Sequence, residues 1–414
     1  MTTESPLTRR EHARSWLRHN LFRGPVDTVV TILAGGLSAW VLYKTIRFVF
    51  VTGRWDIIEV NLRLLMIGRF PDVHVLRLAV TAVALSAWAG LIAGIISARQ
   101  IRSGRVSPLR NRLTVARVRD LVGRFWILAV FVLLLLSLTT TAGPWITAGL
   151  SVVAAIVGRV IGPFIGRLRM GSLGGALLFV VLAAVPVILY FYIVDAVKVE
   201  EWGGFMLNLF LAVCSIILCY PLGVLLALGR RSRLPLIRLL STMYIELIRG
   251  APLYVLLLFA DLALGFFVPK NLTPSTPTRA IVVFTLFTAA YMAEIVRGGL
   301  QSVPRGQYEA AKALGLSPPR QTFLIVLPQA LRNVIPAQIG QLISLFKDTA
   351  LAGVAMSLFE LLRVSQAITQ QEQFSGQGLI GETLAFAALM FWTVSYTMSR
   401  ESQRLERRLG VGVR

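Results

Sequence analysis

The sequence predicts an all-α polytopic membrane protein with about ten transmembrane helices, and three observations carry that reading. Residues of the apolar set AVILMFWYC make up 56% of the 414 positions and only 15% are charged, against about 25% charged in an ordinary soluble domain. The apolar residues gather in runs of the roughly 20-residue length that a bilayer crossing needs. The basic residues, 42 Lys and Arg against 20 Asp and Glu for a net charge of +22, collect between alternate runs, as the cytoplasmic loops of a membrane protein do. A soluble chain this basic would suggest nucleic acid. Here the sidedness of the charge accounts for it, and no nucleic-acid partner is expected.

The runs fall at 28–50, 74–97, 125–142, 145–166, 174–196, 204–228, 251–268, 279–298, 331–356 and 380–399. The weakest is 145–166, where Arg159 interrupts the apolar face and Gly158, Gly162 and Pro163 loosen the pattern. Loop charge decides that it crosses. Arg99, Arg102, Arg105, Arg110, Arg112, Arg117, Arg119 and Arg124 face a single acid, Asp120, and Arg167 and Arg169 mark the next basic loop. Both loops belong inside, so two spans lie between them. Ten spans place about 29 of the 42 basic residues in the cytoplasm and about 7 outside. Both termini are then cytoplasmic, in a multi-pass protein of the bacterial inner membrane. The first 27 residues carry scattered charge and no apolar core, so no cleavable signal peptide is expected. Cys214 and Cys219 both sit within an apolar run, which supports neither a disulfide framework nor a metal site.

Two amphipathic stretches fall outside the spans. Residues 55–70 mix Trp55, Ile57, Ile58, Val60, Leu62, Leu64 and Leu65 with Asp56, Glu59 and Arg63, and Pro71 follows. This suits a helix lying at the outer interface, with anchoring as its expected role. Residues 235–267 are too long for one span, so a break is expected at Gly250 and Pro252.

The loop at 299–330 is more than basic. Positions 309–314 are strong helix formers and Gly315 is a C-terminal stop. Its alanines leave a face with little bulk, along which another surface can lie close, while Glu309 supplies a directed charge. Glu309, Ala310, Ala311, Gly315, Ile325, Leu327 and Pro328 fit, without a gap, the pattern E-A-A, three residues, G, nine residues, I-x-L-P. This resembles the cytoplasmic coupling-loop signature of permease subunits of ATP-binding-cassette importers. Tyr244, Glu246, Arg249, Gly250 and Pro252, then Ala293, Glu294, Arg297, Gly298 and Gly299, then Leu345, Lys347, Asp348, Thr349 and Leu351 resemble the polar and general L-amino-acid branch of that family. The likeness covers about 200–405. The long N-terminal extension resembles that of the larger general L-amino-acid permeases.

The resemblance implies a cytoplasmic segment 1–27, a transmembrane extension 28–200 of about five helices, a five-helix permease core 201–405 and a cytoplasmic tail 406–414. It implies a subunit that translocates L-amino acids and is not itself an enzyme. Its partners would be ATPase subunits using ATP and Mg, a second permease (a homologue or a second copy), an extracytoplasmic amino-acid-binding protein and the lipid bilayer. The chain agrees in having no G-x-x-x-x-G-K-[ST] phosphate loop. His12, His19 and His74 have no metal-ligand spacing, so neither a bound metal nor a cofactor is expected.

Charged groups inside apolar runs are the candidate substrate path or intramembrane polar structure, because burying them is costly. Glu246 and Arg249 stand three apart, as do Glu294 and Arg297, so each pair can neutralise itself on one helix face. Lys347 and Asp348 are adjacent, point to different sides, and could meet a zwitterion or shape the helix. Pro328 and Pro336 flank the start of the ninth run, and Pro336 should kink it. Two rivals remain: an ion-coupled secondary transporter, for which two similar halves are expected, and a membrane scaffold, which leaves the 299–330 loop unexplained.

Overall fold

The computed structural model describes residues 16–17, 19–102, 115–139, 141–168, 172–269 and 272–410. Arg105, Arg110, Arg112 and Arg169, and most of the N-terminal cytoplasmic segment, lie outside them. The elements in chain order are α1 (Pro25–Arg47), α2 (Asp56–Ile67), α3 (Val75–Arg102), α4 (Val115–Ser137), α5 (Gly143–Arg167), α6 (Ser172–Val194), α7 (Gly204–Arg230), α8 (Pro235–Gly250), α9 (Leu253–Leu258), α10 (Leu264–Phe267) and α11 (Thr276–Ser302). Then follow α12 (Arg305–Ala313), α13 (Leu327–Asn333), α14 (Ile335–Asp348), α15 (Leu351–Met356), α16 (Leu361–Ala367) and α17 (Ile380–Leu409). Among the described residues the fold is all-α, with one isolated β-bridge between Gly204 and Glu360.

Packing divides the chain into two units, the first ending at Asp56 and the second beginning at Ile57. In the first, Pro25 opens α1 where its missing N–H costs nothing, and a π-helical turn at Phe48–Thr52 closes it.

Among the described residues five helices are long and apolar enough to cross a membrane alone, and a sixth span results if α8 and α9 with its π-helical continuation count as one. That pair bends by 102° at the expected break, where α8 stops at Gly250 and Leu253 restarts the helix behind Pro252. The run at 331–356 differs from a single span. It is three helices, α13, α14 and α15, because Val334 leaves helical geometry before Pro336 and the chain breaks again at Thr349 and Ala350. The run at 380–399 lies in one 30-residue helix, α17, whose Thr393, Ser395, Thr397 and Ser399 dilute its apolar character.

The run that looked weakest, 145–166, packs backbone to backbone on α3. A Cβ added to Gly158 would lie 2.1 Å from the Ala87 carbonyl oxygen, one on Gly162 2.4 Å from that of Leu91, and one on Gly90 2.1 Å from that of Ala155. Gly90, Gly94 and Ala98 of α3 thus interlock with Gly158, Gly162 and Gly166 of α5, each set spaced by four. Small residues at that spacing let helix backbones touch in lipid, where packing rather than water expulsion drives association. The glycines that loosened the apolar pattern are the interface.

At the other end of α3, Arg77 donates to the Tyr192 carbonyl at 3.0 Å and meets Asp195 at 3.5 Å, which ties it to the end of α6. Tyr190 stacks on Phe210 of α7 and Trp202 meets Phe210 edge-on, with ring centroids 5.6 and 4.9 Å apart. One hydrophobic cluster therefore joins Phe70, Ile193, Val197 and Trp202 to Leu207, Leu257, Phe284 and Leu345. The packing runs continuously through position 200.

α2, expected as an interfacial anchor, packs one face into the protein. Ile57, Ile58, Asn61, Leu62 and Leu65 are buried, and the helix ends at Gly68, with φ +64, before Pro71 is reached.

Candidate coupling and translocation site

The helix α12 starts behind Pro304 and ends in a Schellman turn: Leu316 N–H reaches the Ala311 carbonyl at 3.2 Å and Gly315 N–H reaches that of Lys312 at 2.9 Å. Gly315 holds φ +71, which a residue without a Cβ adopts at no steric cost. Ala311 is buried, and Tyr308 packs into a cluster of Leu300, Val303, Val326, Leu327 and Ala330. Polar ties brace this wedge. Tyr308 Oη donates to the Leu300 carbonyl at 3.3 Å, Gln329 Nε2 to Gln307 Oε1 at 3.1 Å, and Asn333 Nδ2 to Ser302 Oγ at 3.0 Å.

The seven signature residues divide by face. Ala311 and Leu327 are buried, Ile325 is half-buried, and Glu309, Ala310, Gly315 and Pro328 are exposed. Three large apolar side chains on the same loop are also left in solvent: Leu314 at 78%, Leu324 at 64% and Phe323 at 55%. The spacing pattern did not single these out. Leu314, lying between two motif positions in an otherwise small-residue run, was the available signal. The loop can therefore move with α11 and α13, to which it is fixed, while presenting one acid and an apolar surface outward.

At the end of α7 and along α8 and α11, five charges converge. Glu294 meets Arg297 at 2.7 Å and Arg249 at 3.8 Å, and also bonds Arg230. Glu246 pairs with Arg230 at 2.8 Å rather than with Arg249 on its own helix. Arg249 lies over the Tyr291 ring at 5.4 Å. Arg230, which spacing within a helix could not reveal, links the two acids, and the cluster ties three helices together.

Lys347 and Asp348 close α14. Lys347 is exposed and Asp348 half-buried, so they do face different ways, and neither forms an ion pair among the described residues. Leu345 and Phe346 beside them are buried, and Phe346 packs on Phe391 at 5.2 Å.

Just beyond, a buried polar knot escaped the sequence reading. Asn208 Nδ2 donates to Thr349 Oγ1 and to Glu360 Oε2, both at 3.1 Å, and Asn208 Oδ1 accepts the Leu361 N–H at 3.0 Å. Glu360 caps α16, accepting from Leu362 N–H at 2.9 Å and Arg363 N–H at 2.8 Å. All three polar side chains belong to fully buried residues. Burial pushes the Glu360 carboxyl up to about 7, against the downward pull of these N–H donors and of the Arg363 charge. A carboxylate in a loop outside every apolar run gave no hint of burial.

Comparison with known proteins places this arrangement. The profile of the binding-protein-dependent transport system inner membrane component family matches residues 220–411. The glutamate/glutamine/aspartate/asparagine transport system permease protein BztC of Rhodobacter capsulatus is 32% identical over 436 aligned positions, covering 96% of this chain and 94% of that one. The chain belongs to this family. It is a multi-pass inner membrane component of a binding-protein-dependent transport system, and the ion-coupled carrier is set aside. The inner membrane amino-acid ABC transporter permease protein YhdY of Escherichia coli K12 is 42% identical over 222 residues, 54% of this chain and 60% of that protein. The probable glutamine ABC transporter permease protein GlnP of Bacillus subtilis is 37% identical over 206 residues, 50% of this chain but 91% of that one. Half of the present chain is thus enough to match nearly all of one relative.

Proposed function

We propose that this chain is the permease subunit of an ATP-binding-cassette importer of L-amino acids, with ATP and Mg handled by a separate ATPase subunit. The observation that carries the reading is the end-to-end similarity to a glutamate/glutamine/aspartate/asparagine permease. Support comes from the braced α12 loop with its exposed Glu309 and Leu314. In this reading both termini and α12 lie in the cytoplasm. Glu309, Ala310, Ala311, Gly315, Ile325, Leu327 and Pro328 form the ATPase-coupling element. ATP favours one closure state of the ATPases, and α12 passes that preference to α11 and α13, which shift the site between outward and inward access. An extracytoplasmic binding protein delivers the amino acid and a second permease completes the path.

Lys347 and Asp348 are candidate groups on that path, offering both charges that a zwitterion needs. Glu246, Arg249, Glu294 and Arg297, with Arg230, hold the inner ends of the helices together. The test is uptake of labelled amino acids by the full complex reconstituted in vesicles. Uptake that requires ATP and the binding protein supports the reading, and uptake driven by an ion gradient without either overturns it.

A further inference from the structure

The extension reaches the core through backbone contact rather than through lipid. Gly68 and Gly204 both take positive φ, +64 and +56. A Cβ on Gly68 would lie 2.3 Å from the Gly203 Cα, and one on Gly204 2.5 Å from the Leu65 carbonyl oxygen. Only glycine fits either place. Two side chains of the extension then reach past this contact. Asn61, buried on α2, accepts a hydrogen bond from Gln371 Nε2 at 2.8 Å, and Arg69 lies over the Phe359 ring at 4.4 Å. Gly204 N–H in turn donates to the Phe359 carbonyl at 2.8 Å.

Phe359 precedes Glu360, and Glu360 leads through Asn208 to Thr349, the residue that follows Lys347 and Asp348 at the end of α14. An unbroken series of short contacts therefore connects α2 to the helix end that carries the two candidate path charges.

We propose that Asn61 and Arg69 of the extension are positioning residues for transport: by gripping Gln371 and Phe359 they hold the segment 357–371, and with it the α14 end, in one arrangement relative to α7. The inference rests on the permease reading above. For the outer end of the path to change state, α14 must shift against α7, and this clamp opposes the shift until the binding protein docks. Loosening it lets the complex hydrolyse ATP without cargo, since the bias between the two states is reduced.

The experiment uses the full complex in vesicles and compares ATP hydrolysis with and without the binding protein. Asn61→Ala, Gln371→Ala and Arg69→Leu should each lower the stimulated-to-basal ratio, through a higher basal rate, by about three- to tenfold, the worth of one hydrogen bond or cation–π contact. The double variant Asn61→Ala/Gln371→Ala should be no worse than the more affected single one, because both remove one contact. Gln371 is only half-buried, so Gln371→Ala carries the test if Asn61→Ala reduces the yield of complex. A ratio unchanged in Gln371→Ala and Arg69→Leu overturns the inference, as does a loss explained wholly by lower complex yield. A wild-type complex that hydrolyses ATP without transporting amino acids contradicts the permease reading first; normal wild-type transport with unaffected variants removes the clamp alone.

Discussion

The α3 and α5 pair and the helices of the core solve the same bilayer problem in opposite ways. α3 and α5 run unbroken for 28 and 25 residues and touch backbone to backbone along two rows of small residues, an interface with one snug arrangement and little room to slide. The core is interrupted: α8 turns into α9 by 102°, 331–356 is three pieces, and five charges bind the ends of α7, α8 and α11. Ion pairs and helix breaks can exchange partners at modest cost, whereas a glycine seam cannot be shifted by a fraction of a turn without clashes. The α3 and α5 pair is therefore framework, and the moving parts lie where helices break.

Filling the seam should have the largest effect. Gly162→Leu would push a Cβ to 2.4 Å from the Leu91 carbonyl oxygen and should cost about 3 kcal/mol or more, seen as lost folded yield or a lowered Tm in detergent. Gly149→Leu on the same helix meets nothing within 4 Å and should stay within about 0.5 kcal/mol of wild type. Equal effects of the two would end the claim of a seam.

The second contrast lies in the charged cluster. Glu294 is 16% exposed and serves three arginines, so Glu294→Gln leaves them facing one another and should cost about 1–3 kcal/mol in thermal unfolding.

The third contrast is titratable. Glu360 holds its proton more tightly in the fold than in an unfolded chain, because burial lifts its carboxyl to about 7 from the ordinary 4.5. Its contribution to stability is therefore fully present below about 4.5 and is lost as pH rises through 7, by about 1.4 kcal/mol for each unit of displacement. The Tm difference between wild type and Glu360→Gln should shift against wild type over that range; a difference independent of pH contradicts the assignment.

The smallest effect is expected at Glu246, 57% exposed, where Glu246→Gln should cost less than about 1 kcal/mol.

Much of this was legible in the chain. Apolar run length located the five long apolar helices α1, α3, α5, α7 and α11 but not the breaks within 331–356, Gly250 and Pro252 marked the bend, and the turn at Gly315 followed from its position after 309–314. What escaped has a common cause: contact between segments distant in sequence. Spacing of three proposed Glu294 with Arg297, which do meet, but proposed Arg249 for Glu246, because nothing local reports that Arg230 arrives from another helix. Gly158 and Gly162 read as defects because hydropathy scores side chains, and their role lies in having none. Asn61, within the amphipathic 55–70 stretch, and Glu360, outside every apolar run, give no local sign of burial, since their partners, Gln371 and Asn208, lie 310 and 152 positions away.

The central claim is that the turn after α12 transmits the ATPase's state to the membrane helices. Gly315→Val tests it most directly, because a β-branched residue resists φ +71 and would re-aim the exposed Leu314, while nothing within 4 Å crowds the site itself. The variant should insert at wild-type level while ATP-driven uptake per complex falls by about tenfold or more. Uptake equal to wild type at equal protein level contradicts it.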